Sequence, residues 1–165
     1  MIKRSKKTPE AGADDLQELY SRPGFLLRRA HQISVSLFID EASAEGITST
    51  QYGLMFILRA KPGLDQIGLA KLSGLDRSTT GLVLGKLENA GLVKRSAAET
   101  DRRRKQLKLT RRGETAMRKL AEPARRAQEK ALAPFSAAER RQFLALLTKF
   151  VGVYNEVVRA PLTRE

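Results

Sequence analysis

The chain has 165 residues, 41% of them hydrophobic, which is enough for one domain with a real core. Lys and Arg outnumber Asp and Glu by 31 to 18, and a formal net charge of +13 indicates an anionic partner: nucleic acid, an anionic membrane surface or an acidic protein. The sequence contains no cysteine, which excludes disulfides, thiolate metal sites and cysteine nucleophiles. Its apolar runs are too short to span a membrane or to form a signal peptide, so we expect a cytoplasmic protein.

The N-terminal half of the chain contains signals for four helices. Residues 1 to about 15 are predicted to be a disordered basic tail, and residues 16–165 a single domain. Apolar spacing predicts a helix over 25–45, closed by Gly46. Thr48, with Gln51 three residues later, predicts a capping box for a second helix, which stops near residues 62–63.

Two short helices and a hairpin are expected next. Asp65 and Asp76 are suitable N-caps, and only a tight turn fits between the two helices, which predicts a helix-turn-helix. Residues 92–95 and 106–109 then follow a strand pattern, joined by a polar loop over 98–105. Two long helices complete the chain, one opened by Thr110 and one by a Ser136–Glu139 capping box. The predicted fold is mainly α with a small β-hairpin wing.

Positive charge is concentrated around the predicted hairpin. Between Lys86 and Arg112 there are ten Lys or Arg residues and three acidic ones, a net charge of +7 (10 − 3) in that segment. The alternative is that such a run is a solvated surface. No aromatic residue occurs between Phe56 and Phe135, whereas readers of single strands stack bases on aromatic side chains. Duplex DNA, which is bound through phosphates and groove edges, is therefore the favoured partner.

The helix predicted after Asp76 has two faces. Thr80, Val83, Leu84 and Leu87 form an inward stripe, while small or polar residues point outward. Small residues near a helix N-terminus allow close approach to DNA. First-turn capping is the competing interpretation for Ser78 and Thr79. The candidate DNA-binding residues of this helix are Arg77, Ser78, Thr79, Leu82 and Lys86, and those of the hairpin are Arg95, Asp101, Arg102, Arg103, Arg104 and Lys105.

Several motifs resemble the MarR family of bacterial winged-helix regulators. The segment Asp101–Thr110 is similar to the family's wing pattern, an Asp, any residue and an Arg followed by a Leu-x-Leu-Thr strand end. Residues 75–79 and 87–93 resemble the recognition helix and its exit. The resemblance covers about residues 23–158. It differs at Leu82 and Gly85, where relatives often carry polar side chains, so we expect few direct base contacts and a larger contribution from wing contacts and DNA shape.

The resemblance implies an architecture and roles for particular residues. A winged helix-turn-helix lobe would span about 47–110, and dimerisation helices about 23–45 and 111–158. The recognition helix would enter the major groove, and Arg103, held by Asp101, would reach the minor groove. The implied partners are a palindromic operator and a second copy of the chain; no cofactor or metal is implied.

A ligand is also implied by the resemblance. Many members release DNA when a small aromatic acid binds, and the stretch over 22–32 is similar to regulators of nicotinate catabolism, which suggests a hydroxylated nicotinic acid. The candidate ligand-binding residues are Phe25, Arg28, Arg29 and His31, with the arginines pairing a carboxylate. A lone histidine is more often structural, and that alternative remains open for His31.

Other functional classes have weaker support. Residues 81–86 resemble a phosphate loop, but three residues rather than four separate the glycines, and Leu87 stands where Ser or Thr is required. No nucleophile elbow or paired metal histidines occur, so we expect that the protein is not an enzyme. The competing hypothesis is a winged helix that serves as an RNA- or protein-interaction module.

Overall fold

The computed structural model describes residues 13–97 and 105–163. Its elements follow the expected order of helices, hairpin and long helices, and the predicted fold class is confirmed. They are α1 (Ala13–Ser21), α2 (Pro23–Ala42), a 3-10 turn (Ser43–Glu45), α3 (Ser49–Ala60), α4 (Gln66–Ser73), α5 (Arg77–Asn89), β1 (Val93–Ala97), β2 (Lys105–Leu109), α6 (Arg111–Leu132), α7 (Ala137–Tyr154) and a second 3-10 turn (Asn155–Val157).

Helix α1 corrects the predicted extent of the N-terminal tail. The tail was expected to continue to about residue 15, but residues 13–15 already belong to this helix. Asp15 lies in its first turn, where an acidic side chain interacts favourably with the positive end of the helix dipole. The rest of the predicted tail, residues 1–12, lies outside the described residues.

The predicted caps are confirmed. The Gln51 amide N–H donates to Thr48 Oγ1 at 3.2 Å, and the Thr48 N–H donates to Gln51 Oε1 at 2.8 Å, which completes the capping box of α3. Asp65, Asp76 and Ser136 accept from backbone amides in the first turns of α4, α5 and α7. Gly46 has a φ of +61°, a left-handed conformation that closes the turn after α2.

One apolar core holds α3 to α6 and the hairpin together. It includes three residues of α3, Leu69 of α4, two leucines of α5 and several residues of α6: Leu54, Met55, Leu58, Leu84, Leu87, Met117 and Leu120 are all almost fully buried. Leu107 of β2 joins the same cluster. The hairpin is therefore seated on the helices through the inward side of its second strand.

Backbone and side-chain hydrogen bonds fix the base of the hairpin. Thr110 donates through Oγ1 to the Gly91 carbonyl at 2.6 Å, and its Oγ1 accepts from the Gly113 N–H at 3.0 Å. A Cβ at Gly113 would collide with the Leu92 carbonyl oxygen. Glycine at this buried position is thus required for α6 to begin directly against the start of β1.

Two ion pairs of Glu41 join helices α2 and α6. Glu41 of α2 accepts from Arg126 Nε at 2.6 Å and forms a second ion pair with Lys130, both on α6. The Glu41 side chain is only 11% exposed, whereas its partners are about half exposed. Hydrogen bonds from these two cations hold the pKa of Glu41 below its ordinary value.

The last helix is uncovered in the single chain. None of the residues of α7 is buried. After it, the side chain of Asn155 brackets Leu162, donating to its carbonyl at 2.9 Å and accepting from its N–H at 2.7 Å. The next amide, that of Thr163, donates to the Lys71 carbonyl of α4 at 3.0 Å. The C-terminal segment therefore returns to the end of α4.

The lowered pKa of Glu41 predicts a pH dependence of stability. A carboxylate with a lowered folded-state pKa stabilises the fold fully above its ordinary pKa, and the stabilisation is lost as the pH falls through the lowered value. Replacement of Glu41 by Gln should therefore reduce the urea midpoint at pH 7, and the difference from wild type should shrink towards pH 3. Glu18→Gln removes an exposed pair with Arg22 and should change little at either pH. A difference in urea midpoint between wild type and Glu41→Gln that stays constant from pH 7 to pH 3 would contradict the lowered pKa of Glu41.

Candidate nucleic-acid interface

Helix α5 is anchored by one face and uncovered on the other. Thr80, Leu84 and Leu87 are fully buried against the core, as predicted for the inward stripe. The Thr80 hydroxyl, which is polar, donates to the Asp76 carbonyl at 2.9 Å and is thereby satisfied. The opposite side of α5 carries Leu82, whose side chain remains 69% exposed.

The predicted DNA-facing residues of α5 do not all have the same surroundings. Arg77, Ser78, Leu82 and Lys86 are exposed, so this face is available to a partner. Thr79 is half buried, and its hydroxyl donates to Asp76 Oδ2 at 2.6 Å while its N–H donates to Oδ1 at 2.8 Å. In this structure Thr79 therefore takes part in first-turn capping, which was the competing interpretation of this residue.

Asp76 fixes the N-terminus of α5 electrostatically as well as by geometry. Hydrogen bonds from the Thr79 hydroxyl and amide hold the pKa of its carboxyl below the ordinary value. The carboxylate is therefore ionised at neutral pH and lies at the positive end of the helix dipole. The first turn of α5 is fixed before any partner binds.

The hairpin places further cations beside α5. Its strands are antiparallel, with Lys94 opposite Lys108 and Ala97 opposite Lys105. Lys94 and Lys105 are exposed and Lys108 is half buried. The predicted tip residues Asp101, Arg102, Arg103 and Arg104 lie outside the described residues. Lys105 was expected in the loop but is the first residue of β2, because strand pairing extends to it.

Arg95 differs from the other cations of this face because its guanidinium contacts its own chain. Nε donates to Glu88 Oε1 at 2.7 Å, and Nη2 donates to Gln66 Oε1 at 3.2 Å. Gln66 Nε2 in turn donates to the Arg77 carbonyl at 3.3 Å. Sequence reasoning assigned Arg95 by its charge and missed Gln66 and Glu88, because no local pattern relates side chains on α4, α5 and β1.

The described residues form a sizeable cavity and contain no cluster suited to a metal. The cavity, of about 740 Å³, lies between the turn after α2, the start of α3 and the first half of α6, and Arg111, Arg112, Arg118 and Lys119 are among its lining residues. Within ranges 13–97 and 105–163, no three acidic or histidine side chains gather as metal ligands would. None of the helices in these ranges has the length and apolar character needed to cross a bilayer.

Comparison with known proteins identifies the family. The MarR family model matches residues 47–105, which include α3 to the start of β2. The protein assigned as transcriptional regulator of the hcr operon in Thauera aromatica is 34% identical over 127 residues, 76% of each chain. The chain belongs to the MarR family. The repressor NicR of Pseudomonas putida is 29% identical over 150 residues, 89% of this chain and 95% of its own length.

Solved structures of MarR regulators share this fold. The PcaV regulator of Streptomyces coelicolor, in complex with its natural ligand, has a TM-score of 0.74 at 36% identity, covering 81% of this chain and 94% of its own. BpsR of Bordetella bronchiseptica, whose DNA binding is regulated by 6-hydroxynicotinic acid, has a TM-score of 0.74 at 25% identity and coverages of 79% and 94%. The repressor CouR, bound to a 23-mer DNA duplex, has the same TM-score and identity, with coverages of 87% and 99%.

The four predicted ligand residues lie on the N-terminal half of α2. Phe25 is half buried, with the Arg28 guanidinium 4.9 Å from its ring centroid, and the other three residues are exposed. Arg28 and Arg29 both donate to Gln32 Oε1, at 3.2 and 2.9 Å. None of the four lines the 740 Å³ cavity. In the single chain they form a cationic and aromatic surface rather than an enclosed pocket.

Proposed function

We propose that this MarR-family regulator is a sequence-specific repressor that binds duplex DNA as a homodimer and is released by a small aromatic acid. The observation that carries the DNA-binding part is the uncovered outer face of α5. A core helix that leaves Arg77, Ser78, Leu82 and Lys86 exposed presents them to a partner, and the resemblance to CouR, solved on a duplex, supports DNA as that partner.

The chemistry of this face favours a duplex over a single strand. Four lysines of α5 and the hairpin form no ion pair with the described part of the chain, so their charges are available to phosphates. They are Lys86, Lys94, Lys105 and Lys108. The absence of aromatic residues from 57 to 134 leaves no stacking platform for unpaired bases. We assign Arg103 to the minor groove and Asp101 to holding it, on the family resemblance, and Arg102, Arg104 and Lys105 to phosphates.

DNA binding through α5 predicts different effects for two cations. Lys86→Ala should weaken binding to operator and to random duplex and lower the salt-dependence slope by about one. Arg118→Ala removes the same charge from α6, outside α5 and the hairpin, and should leave both affinities unchanged. Fluorescence anisotropy at several salt concentrations measures both quantities. Structured RNA of equal length is included, and a preference for RNA would favour an RNA-binding module instead.

The homodimer is inferred from apolar surface that the single chain leaves in water. Large apolar side chains are exposed on α7 and the turn after it, and also on α1 and α2. Those of α7 and its turn are Leu144, Leu146, Phe150, Val151, Val153, Tyr154 and Val157, and those of α1 and α2 include Leu16, Leu19, Leu26 and Ile33. Exposed apolar side chains that gather into a large patch usually mark a protein–protein interface. We therefore assign dimerisation to about 23–45 and 111–158, and DNA binding to about 47–110.

A charge placed on α7 should separate the protomers. In Val153→Glu the carboxylate would be buried in the dimer interface without a partner, so sedimentation at micromolar concentration should show monomers. Leu82→Glu makes the same change at an exposed residue of α5 and should sediment as the dimer. Two-fold symmetry also requires half-sites about 10 bp apart in the operator. A folded wild-type monomer at micromolar concentration would contradict the proposal.

The proposed effector is a small aromatic carboxylate, such as a hydroxylated nicotinic acid. The similarity to NicR and to BpsR, together with the cations beside Phe25, supports this class of ligand. Two neighbouring guanidinium groups suit a carboxylate, and the aromatic ring suits a flat ligand. We assign Phe25, Arg28, Arg29 and His31 to this site.

Ligand binding and DNA release must be linked. A ligand that weakens DNA binding binds less well to the DNA-bound protein. We expect 6-hydroxynicotinate or salicylate to raise the melting temperature of the free protein and to release the operator, and expect Arg28→Ala/Arg29→Ala to abolish both effects. Arg118→Ala/Arg125→Ala, which also removes two cations, both on α6, serves as the charge-matched control. The effector proposal fails if neither acid changes melting or DNA binding.

A further inference from the structure

Two side chains in contact, Arg95 and Gln66, connect the two ends of the recognition helix. Arg95, in the middle of β1, contacts Glu88 in the last two turns of α5 and Gln66 at the start of α4. Gln66 contacts the carbonyl of Arg77, the first residue of α5. The network Glu88–Arg95–Gln66 therefore runs from the C-terminal end of α5, through the hairpin and α4, to its N-terminal end.

Gln66 approaches α5 closely at Gly81. A Cβ at this position would lie 3.0 Å from Gln66 Nε2, so the amide would have to move slightly to admit a larger residue. The side chains of Arg95 and Glu88 are 33% and 27% exposed, so their ion pair is partly shielded from solvent. A bond of this kind is directional, unlike the apolar contacts of Leu84 and Leu87 that seat α5 on the core.

We propose that Arg95 is a positioning residue for DNA recognition: it fixes the angle of α5 relative to the hairpin, with Glu88 and Gln66 as its partners, and does not contact phosphate. This inference rests on the proposed function and adds residues to it. Gln66 is neutral and Glu88 is an anion that DNA repels, so neither side chain can attract DNA by its charge. The network affects DNA binding by orienting the residues on the outer face of α5.

The two possible roles of Arg95 predict opposite effects of removing its partner. If Arg95 bound phosphate while Glu88 competed for it, Glu88→Gln would free a cation and remove an anion, and DNA binding would become tighter and more salt-dependent. If Arg95 positions α5, Glu88→Gln weakens the link to the helix, because an amide oxygen accepts a weaker hydrogen bond from a guanidinium than a carboxylate does, and affinity for the operator falls. The positioning role further predicts that binding to random DNA does not fall, because the phosphate-binding charges remain.

The experiment measures Glu88→Gln, Arg95→Gln and the double variant on two duplexes over a range of salt concentrations. The operator is obtained by selecting bound duplexes from a random pool with the wild-type protein, and the second duplex is a scrambled sequence. Glu129→Gln and Arg118→Gln are the matched controls, since they remove the same charges from α6. Thermal melting by circular dichroism verifies that each variant is folded.

We expect each single variant to lose about tenfold in operator affinity, the factor that corresponds to one hydrogen bond to a charged group. Affinity for the scrambled duplex, and the salt slope on it, should not fall. The double variant should lose little more than either single one, because both remove the same network. The control variants should retain the preference of the wild type.

Three results would overturn the inference. Tighter operator binding by Glu88→Gln, or an equal loss on both duplexes with a salt slope lower by about one for Arg95→Gln, would make Arg95 a phosphate contact. Unchanged operator binding in both variants would make the network irrelevant to recognition. A wild-type protein without preference for any duplex sequence refutes the proposed function itself, whereas a wild-type preference that the variants retain refutes only the positioning role.

Discussion

The anchoring of α5 by its inner face is the constraint on which the rest of this structure depends. Thr80, Leu84 and Leu87 are fully buried, and their burial orients the helix so that its other side remains in solvent. A small lobe has few apolar residues available for this purpose. The other contacts of α5 come from α3, α4 and β1, and Leu107 of the hairpin and Met117 of α6 belong to the same core cluster, so the wing is part of the core on which the recognition helix is seated.

Contacts at the base of the hairpin connect the end of α5 to the start of α6. Thr110 is the N-cap of α6 and also donates to the carbonyl of Gly91, which closes α5. One hydroxyl thus joins the exit of the recognition helix to the start of the next helix. The close approach at Gly113 leaves no room for a side chain, so the angle between the hairpin and α6 is set by backbone contact rather than by adaptable side chains.

Local sequence patterns were sufficient to predict most of the elements, because each helix carries its own start and stop signals. Asp65, Asp76 and Thr110 cap the helices that they were expected to cap, and the faces of α5 follow directly from its apolar spacing. Helix α1 was missed because its nine residues follow a polar, basic segment. The role of Arg95 could not be predicted either, since Gln66 and Glu88 come from different elements and only the fold brings them together.

The charged residues of α6 and those around α5 and the hairpin differ in how they are paired. On α6, acidic residues pair with an arginine of the same helix, as Glu122 and Glu129 do with Arg125. Hydrogen bonds that Arg125 donates to Glu122 hold the pKa of that carboxyl below its ordinary value. Around α5 and the hairpin, Glu88 pairs with Arg95, while the neighbouring lysines have no such partner in the described ranges. The net charge of the chain is therefore concentrated where the fold leaves α5 uncovered.

The C-terminal segment links the helices that we assign to dimerisation to the helix-turn-helix. Asn155 fixes the backbone of Leu162, and the adjacent amide of Thr163 binds the carbonyl of Lys71 at the end of α4. Leu162 also lies against Gly74, in the turn that leads to α5. Because these are directional backbone contacts, α7 cannot move relative to this turn without breaking them or carrying the turn with it. The orientation of α5 is therefore tied to two distant parts of the chain, to β1 through Arg95 and to the end of α7 through this segment.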